Sequence, residues 1–412
     1  MANALITPSV IAKEALFQLE NNLVLANSVH REYKKEFVKV GGTVSIRKPV
    51  KFYAADGATR VNQDVEEANT SITVATQKHV SWGFSSVDLT LTIEDYSERY
   101  IQPAAIALAN TIDASLADLY YSFWNHVGTP GATPATFAAV ALAAQRADEM
   151  SIPSDMRKAI LNPAAGYAIA GTATNIYNPN SAKAYTEGEI GRIAGMNTFS
   201  TQNIANHTNG ARGGTPLIAG AAQNTTYALA KVGTNGNSQS LVTDGWTASA
   251  APRVTRGEVF TIAGVYAVNP VPAAGATGKR VLPYLQQFTI LADGSSDGSG
   301  NLTLTISPAI ITSGPYQTVS AAPADNAALT FVGTAATAYP QNLCIHKNAI
   351  ALVTVPMELP DGVSFKARET HKGLSMRVVK AYDIDADTDV IRLDVLYGSK
   401  VIYPDLGVRL TG

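Results

Sequence analysis

The pentapeptide Gly294-Ser295-Ser296-Asp297-Gly298 fits the G-x-S-x-G pattern, whose chemistry needs its central serine on a strained turn from strand to helix. Here both flanks read as strands, inside a run of Gly, Ser and Asp, so the pattern reads as a hairpin loop. Asp383, Asp385, Asp387 and Asp389 alternate, and Asp394 stands twelfth from Asp383, the outline of a calcium loop. The sixth position is Thr388 where that loop needs glycine, and the twelfth is Asp rather than a bidentate Glu. A solvated turn between two strands is the simpler reading. Cys344 and His346 are two apart with no second Cys/His pair nearby, which fails zinc spacing and leaves a buried structural thiol. His30, His79, His126, His207 and His371 are scattered. Asn209–Gly214 (NGARGG) is glycine-rich, yet it neither follows a clear strand nor opens a clear helix, so it is not read as a phosphate cradle. Arg31, Lys34, Lys35 and Lys39 cluster, diluted by Glu32 and Glu36; they read as a solvated helix face, with nucleic-acid contact as the alternative. These readings assign no catalytic, cofactor-binding or metal-ligating residue.

The elements around these residues are more informative. Ile101, Ala105, Leu108, Ile112, Leu116, Leu119 and Phe123 recur at spacings of three and four, one face of a long helix. Thr92 with Asp95 forms a capping start signal, and Pro103 suits a first turn. A short helix near Ile93–Tyr100 and a longer one from about Gln102 to His126 are predicted, a spine on which other parts hang. Thr7-Pro8 opens an earlier helix through Ile11, Ala15, Leu19 and Leu23. Thr43–Tyr53, Thr70–Val74 and Val80–Leu91 read as strands, with a polar loop tip at Ala54–Gln63. Val44–Leu91 as a whole is therefore expected to be a long hairpin-like excursion, which needs another surface because isolated two-stranded hairpins are marginal in water.

Thr136–Met150 reads as an Ala-rich helix, Arg157–Leu161 as a strand and Ser181–Ile193 as helical. From about Gly210 the texture turns to Gly, Ala, Thr, Asn and Pro, with short strands at Val259–Val268, Gln287–Leu291, Leu302–Ile306 and Leu329–Val332. Gly220–Tyr339 is expected to be an autonomous barrel-like unit with a core of Val259, Ile262, Val265, Phe288, Ile290, Leu302, Leu304 and Ile306. Phe260 is expected to point outward or under a loop, since neighbours in a strand face opposite sides. Mixed helical character is expected from Leu343, and Leu374–Tyr382 and Val390–Tyr397 read as strands joined by an acidic turn.

The 412 residues exceed what one core usually holds, so two or more compact units are expected. Charged residues make up only 16%, against about 25% in ordinary globular chains. With 46% hydrophobic residues, such a chain tends to bury surface against partners. A net charge of −2 marks neither a dedicated nucleic-acid binder nor a basic membrane-surface protein. No signal segment and no apolar run long enough to span a bilayer is read. One cysteine excludes an intrachain disulfide framework.

The order of these segments resembles the major capsid proteins of tailed phages with the Hong Kong 97-type fold. More narrowly, it resembles the coat proteins of the short-tailed Salmonella phage group, which carry an inserted β-barrel. Val10–Phe37 resembles that family's N-terminal arm, and Gly42–Pro49 (GTVSIRKP) the strand leading into its extended loop. Tyr100–Asn110 (YIQPAAIALAN) resembles the start of its spine helix, and Arg256–Val265 (RGEVFTIAGV) a strand of its insertion domain. Asn348–Pro356 and Leu393–Tyr397 resemble its closing segments.

The resemblance implies an α+β Hong Kong 97-like capsid fold with an inserted all-β barrel-like domain. It divides the chain into an N-terminal arm (1–43), extended loop and peripheral-domain strands (44–91), spine helix (92–128), first axial part (129–219), inserted barrel (220–339) and closing axial and peripheral part (340–412). The implied role is a non-enzymatic shell subunit that needs no cofactor. It self-assembles as hexamers and pentamers into an icosahedral head around a scaffolding protein, meets a portal protein, and touches packaged double-stranded DNA without sequence preference. Assembly would take place in the bacterial host cytoplasm, with no membrane partner. A protein-cargo nanocompartment shell of the same fold is the alternative, with a β-rich binding protein or enzyme further behind. A jelly-roll capsid is disfavoured, because it would be nearly all-β and lack the spine helix.

Overall fold

The computed structural model describes residues 8–31, 42–55, 57–60, 62–63, 65–85, 100–173, 191–248, 252–271, 279–363, 365–383 and 388–412. Within it the chain forms two units, each drawn from separate stretches. One comprises Met1–Ser45, Ser71–Ala117 and Ile350–Lys400; the other comprises Ile46–Thr70, Asp118–Ala349 and Val401–Gly412. The expected Thr7 cap, the short helix over Ile93–Tyr100 and most of Ser181–Ile193 fall outside the described residues, as do Lys34, Lys35, Lys39, Asp385 and Asp387.

In the first unit, helix α1 (Pro8–Asn22) packs on helix α2 (Gln102–Ala117). The spacing that predicted them is the spacing that buries them: Ile11, Ala15 and Leu19 on α1, and Ala105, Leu108, Ile112 and Leu116 on α2. One polar group sits among these side chains. Asp113 of α2 accepts the backbone N–H groups of Val24 (2.7 Å), Leu25 (3.2 Å) and Ala26 (3.0 Å), tying the turn after α1 to the middle of α2. The Thr388–Val401 strand organises the unit's sheet. Thr76–Ser85 lies antiparallel along it, from Thr388↔Ser85 to Tyr397↔Thr76. It also pairs with Leu374–Asp383, forming the hairpin expected around the acidic turn, and Phe365–His371 follows outside that strand.

The predicted long helix is corrected here. It ends at Ala117; Asp118–Ser122 tightens into a 3-10 turn, and Asn125–Val127 becomes a strand. The cause is tertiary. At Asp118 the chain enters the second unit, where Asn125–Val127 takes up parallel ladder bonds with Val408–Leu410. Phe123 is fully buried there, with Gly407 beneath it; a Cβ on that glycine would lie 2.3 Å from the Phe123 ring. The excursion is also shorter than expected. Thr76–Ser85 belongs to the sheet just described, while Thr43–Lys48 and Ala68–Thr73 pair as a separate two-stranded sheet from which the intervening segment extends.

The second unit holds a mixed six-stranded sheet in the order Asn125–Val127, Gly407–Leu410, Asn342–His346, Arg157–Leu161, Met196–Ser200 and Arg192–Ile193. Helices α3 (Phe137–Glu149) and α4 (Pro163–Ala173) accompany it, and Val140, Ala143, Leu161, Ile169, Cys344 and Val408 share one core. The Thr136–Met150 reading finds its helix in α3, which Thr136 caps through its hydroxyl. The expected helical character after Leu343 is corrected: among the described residues beyond that point only short 3-10 turns interrupt strands.

The same unit contains a second six-stranded sheet, in the order Leu329–Phe331, Val259–Val268, Val281–Ile290, Leu302–Ser307, Gln239–Trp246 and Gly214–Ile218. Its two edges meet. Ile218 N–H donates to Ala327 O (3.0 Å), Asn326 N–H donates to Ile218 O (2.9 Å), and Leu217 bridges Ala328, so the sheet closes into a barrel. The first barrel strand lies ahead of the expected Gly220 boundary. Ile262, Val265, Phe288, Ile290, Leu302, Leu304 and Ile306 fill the barrel core, as predicted. Phe260 is a correction: it is fully buried in that core, 5.7 Å from the Phe288 ring and 5.4 Å from Phe331. The inward set therefore runs Phe260, Ile262, Val265, and the odd step is absorbed by a register shift between Thr261 and Tyr266, where Gly264 takes φ +79°. Val259 is buried on the opposite face.

Candidate functional site

The sequence patterns that hinted at chemistry are occupied by the chain itself. Gly294–Gly298 is a hairpin connection between the antiparallel strands Val281–Ile290 and Leu302–Ser307, and Ser296 donates to Thr247 O at 2.7 Å. Asp394 is a buried strand residue held by Arg377 (2.7 Å), Arg392 (2.7 Å) and Gln77 (3.0 Å). Burial pushes its carboxyl up, but those three donors outweigh it and hold the group below the ordinary carboxylate range. Cys344 is a buried free thiol, raised by desolvation to about 12 and therefore unreactive as a nucleophile. Among the described residues no group of three or more His, Cys, Asp or Glu side chains is placed to hold a metal ion, and no helix is long and apolar enough to cross a membrane.

The glycine-rich run Asn209–Gly214 cradles a carboxylate, but the chain's own. Glu258 is buried and accepts from Gly210 N (2.6 Å), Thr255 N (2.9 Å) and Arg212 Nε (2.9 Å). Arg212 then reaches Gly333 O (2.7 Å) and Val332 O (3.1 Å), with its guanidinium 4.7 Å from the Phe331 ring. Desolvation offsets much of what such a buried pair gains, but removing one partner leaves the other charge uncompensated.

His126, His207 and Arg409 are far apart in sequence and line one small cavity in the second unit. Arg409 is buried and donates to Gly257 O (2.6 Å) and Thr289 Oγ1 (3.1 Å), with its guanidinium 5.2 Å from the Tyr120 ring. The Tyr120 hydroxyl and His207 Nδ1 share a 2.8 Å hydrogen bond, and Gln287 pairs with the backbone of His126 in both directions (2.7 and 2.8 Å). This junction cross-braces the barrel strands to the ends of the mixed sheet. Desolvation, with Arg409 next, drives His126 down to about 3 and His207 to about 4, so both rings are neutral near pH 7. No spacing rule links these three residues. The only sequence sign is a charged residue inside the otherwise apolar strand Val408-Arg409-Leu410.

The segment from Pro49 to Glu67 presents the most exposed chain in this unit. None of its described residues is buried, and Phe52 and Val65 are 55% and 63% exposed. Its stem is fastened. Lys51 N–H donates to Tyr316 Oη (3.0 Å), Tyr316 Oη donates to Glu66 O (3.0 Å), and Lys231 pairs with Glu66. Tyr316 stacks on Tyr227 with ring centroids 3.5 Å apart. Farther out, Gln63 bridges both backbone groups of Tyr53. The segment is thus pinned at its base, and its described residues beyond that are unburied.

A family described as "P22 coat protein - gene protein 5" matches residues 1–412. No curated protein is a significant match. Among solved structures, one from Mycobacterium phage Che8 is 14% identical, with 94% of this chain and 90% of that chain covered and a TM-score of 0.47. The capsid of cyanophage P-SCSP1u is 13% identical over 91% and 84%, with a TM-score of 0.42. A virus-like particle from Pyrococcus furiosus is 10% identical over 97% of each chain, with a TM-score of 0.33.

Proposed function

This chain belongs to the P22 coat protein family, and from that premise we propose how it builds its shell. It is a major capsid protein, a structural component of the virion that works as a multimer. The proposal is that its copies form hexamers and pentamers in an icosahedral head enclosing double-stranded DNA, assembled in the host cytoplasm with a scaffolding protein and a portal protein. The barrel over 220–339, extended back to its first strand at Gly214, is the inserted domain of this scheme. The supporting observation is the Pro49–Glu67 arm, fastened by Tyr316 and Lys231 and unburied beyond them. Lying across a neighbouring copy would cover Phe52 and Val65.

Light scattering and electron microscopy of the full chain, with and without a scaffolding partner, test the scheme. Closed particles are expected, and a strict monomer under every condition counts against it. Deleting Ala54–Gln63 is expected to leave a folded chain that assembles poorly. Normal particle yield from that deletion would remove the arm from the scheme while leaving the family assignment intact.

A further inference from the structure

We infer that a cleft of about 230 Å³ in the second unit, beside the Tyr227–Tyr316 stack, binds a small organic anion: a phosphate or carboxylate head on an apolar body. Two of the residues lining this cleft, Asn235 and Lys279, are buried and carry N–H donors. Asn235 is 6% exposed, and its Nδ2 has no hydrogen-bond acceptor among the described residues. A buried N–H without an acceptor is unfavourable, so its retention calls for an acceptor from outside the chain. Lys279 is equally buried at 6%, and its Nζ donates to Gln317 O at 3.0 Å. No carboxylate among the described residues forms a salt bridge with it. An ammonium has three N–H donors, and among the described residues Gln317 O is the one hydrogen-bond acceptor that this one reaches.

The charges around the cleft agree. Lys48 and Lys51 line the same space, opposed by the single carboxylate of Asp405. Desolvation and then Lys51 push the Lys279 amine down to about 7, with Asp405 acting weakly the other way. Tyr227, raised to about 12 by burial, stays a neutral phenol across this range. An arriving anion would restore the Lys279 charge by drawing a proton from solvent. Trp124, Tyr403 and the stacked tyrosines make the remaining wall aromatic, so a head group alone would leave much of the space unfilled.

Titration calorimetry on the unassembled full chain at about pH 8, in two buffers of different ionisation enthalpy, tests this without requiring a shell. The probes are inorganic phosphate, phenyl phosphate and benzoate. The ring-bearing anions are expected to saturate at one per chain, about tenfold tighter than inorganic phosphate, with proton uptake. Their ranking separates a phosphate from a carboxylate preference. Lys279→Gln and Asn235→Asp should each weaken binding by about tenfold or more, and the exposed Lys51→Gln, which leaves the buried wall intact, by about threefold. Failure of all three probes to saturate below about 10 mM, or equal affinity in all three variants, would overturn the assignment.

Discussion

At the scale of single residues, buried polar groups decide what this chain tolerates. Glu258 is the sharpest case, because its carboxylate holds two backbone N–H groups and the Arg212 guanidinium. Glu258→Ala leaves Arg212 uncompensated, and a loss of about 3–5 kcal/mol is expected in chemical denaturation. His126 and His207 set an acid limit. Above about pH 6.5 the rings are neutral in both folded and unfolded chains, and the stability they allow is complete. Between about 6.5 and 4 the unfolded chain takes up protons that the folded one refuses, so stability falls by up to about 1.4 kcal/mol per pH unit for each ring. Denaturation midpoints across that range should drop steadily, and the double variant His126→Gln/His207→Gln should flatten the slope. A slope unchanged by the double variant would place the acid sensitivity elsewhere. None of this was legible in the sequence. Glu258 sits in an ordinary Arg-Gly-Glu turn, and the two histidines and Arg409 meet only through folding. What could be read was negative: Thr388 where a calcium loop needs glycine, and an isolated Cys344-x-His346 that lacks zinc spacing.

At the scale of elements, apolar spacing carried most of the information. The inward residues of α1 and α2, the strand Arg157–Leu161 and the barrel strand Val259–Val268 all appear where period and residue type place them. Misreadings arose where pairing overrode period. Leu119 and Phe123 continue the helical stripe, but Asn125–Val127 has strand partners waiting in Val408–Leu410. Phe260 defeated simple alternation because the register shift between Thr261 and Tyr266 changes which residues face inward along its strand. Barrel closure yields a direct test of autonomy. A fragment covering Ala211–Tyr339 keeps the Gly214–Ile218 strand and should fold, with dispersed spectra and cooperative unfolding. A fragment beginning at Gly220 lacks the strand that joins Gln239–Trp246 to Leu329–Phe331, and it should melt earlier or stay disordered. Equal stability of the two would mean that the closing strand is dispensable.

At the scale of the whole molecule, charge limits the partners. With a net charge of −2, contact with packaged DNA should be weak and indifferent to sequence. Filter binding should give dissociation constants above about 1 µM at physiological salt, rising further as salt is added. Tight, sequence-selective retention would contradict this. The closed barrel bears on a different hazard. A shell gathers many copies of one chain side by side, the condition under which identical open sheets add to one another edge on edge and grow into fibres. Each barrel has spent its outermost N–H and C=O groups on itself, through Leu217–Ile218 and Asn326–Ala328. Barrels of neighbouring copies can then be crowded without templating one another, and what holds one against the next is left to side chains, whose reach is finite.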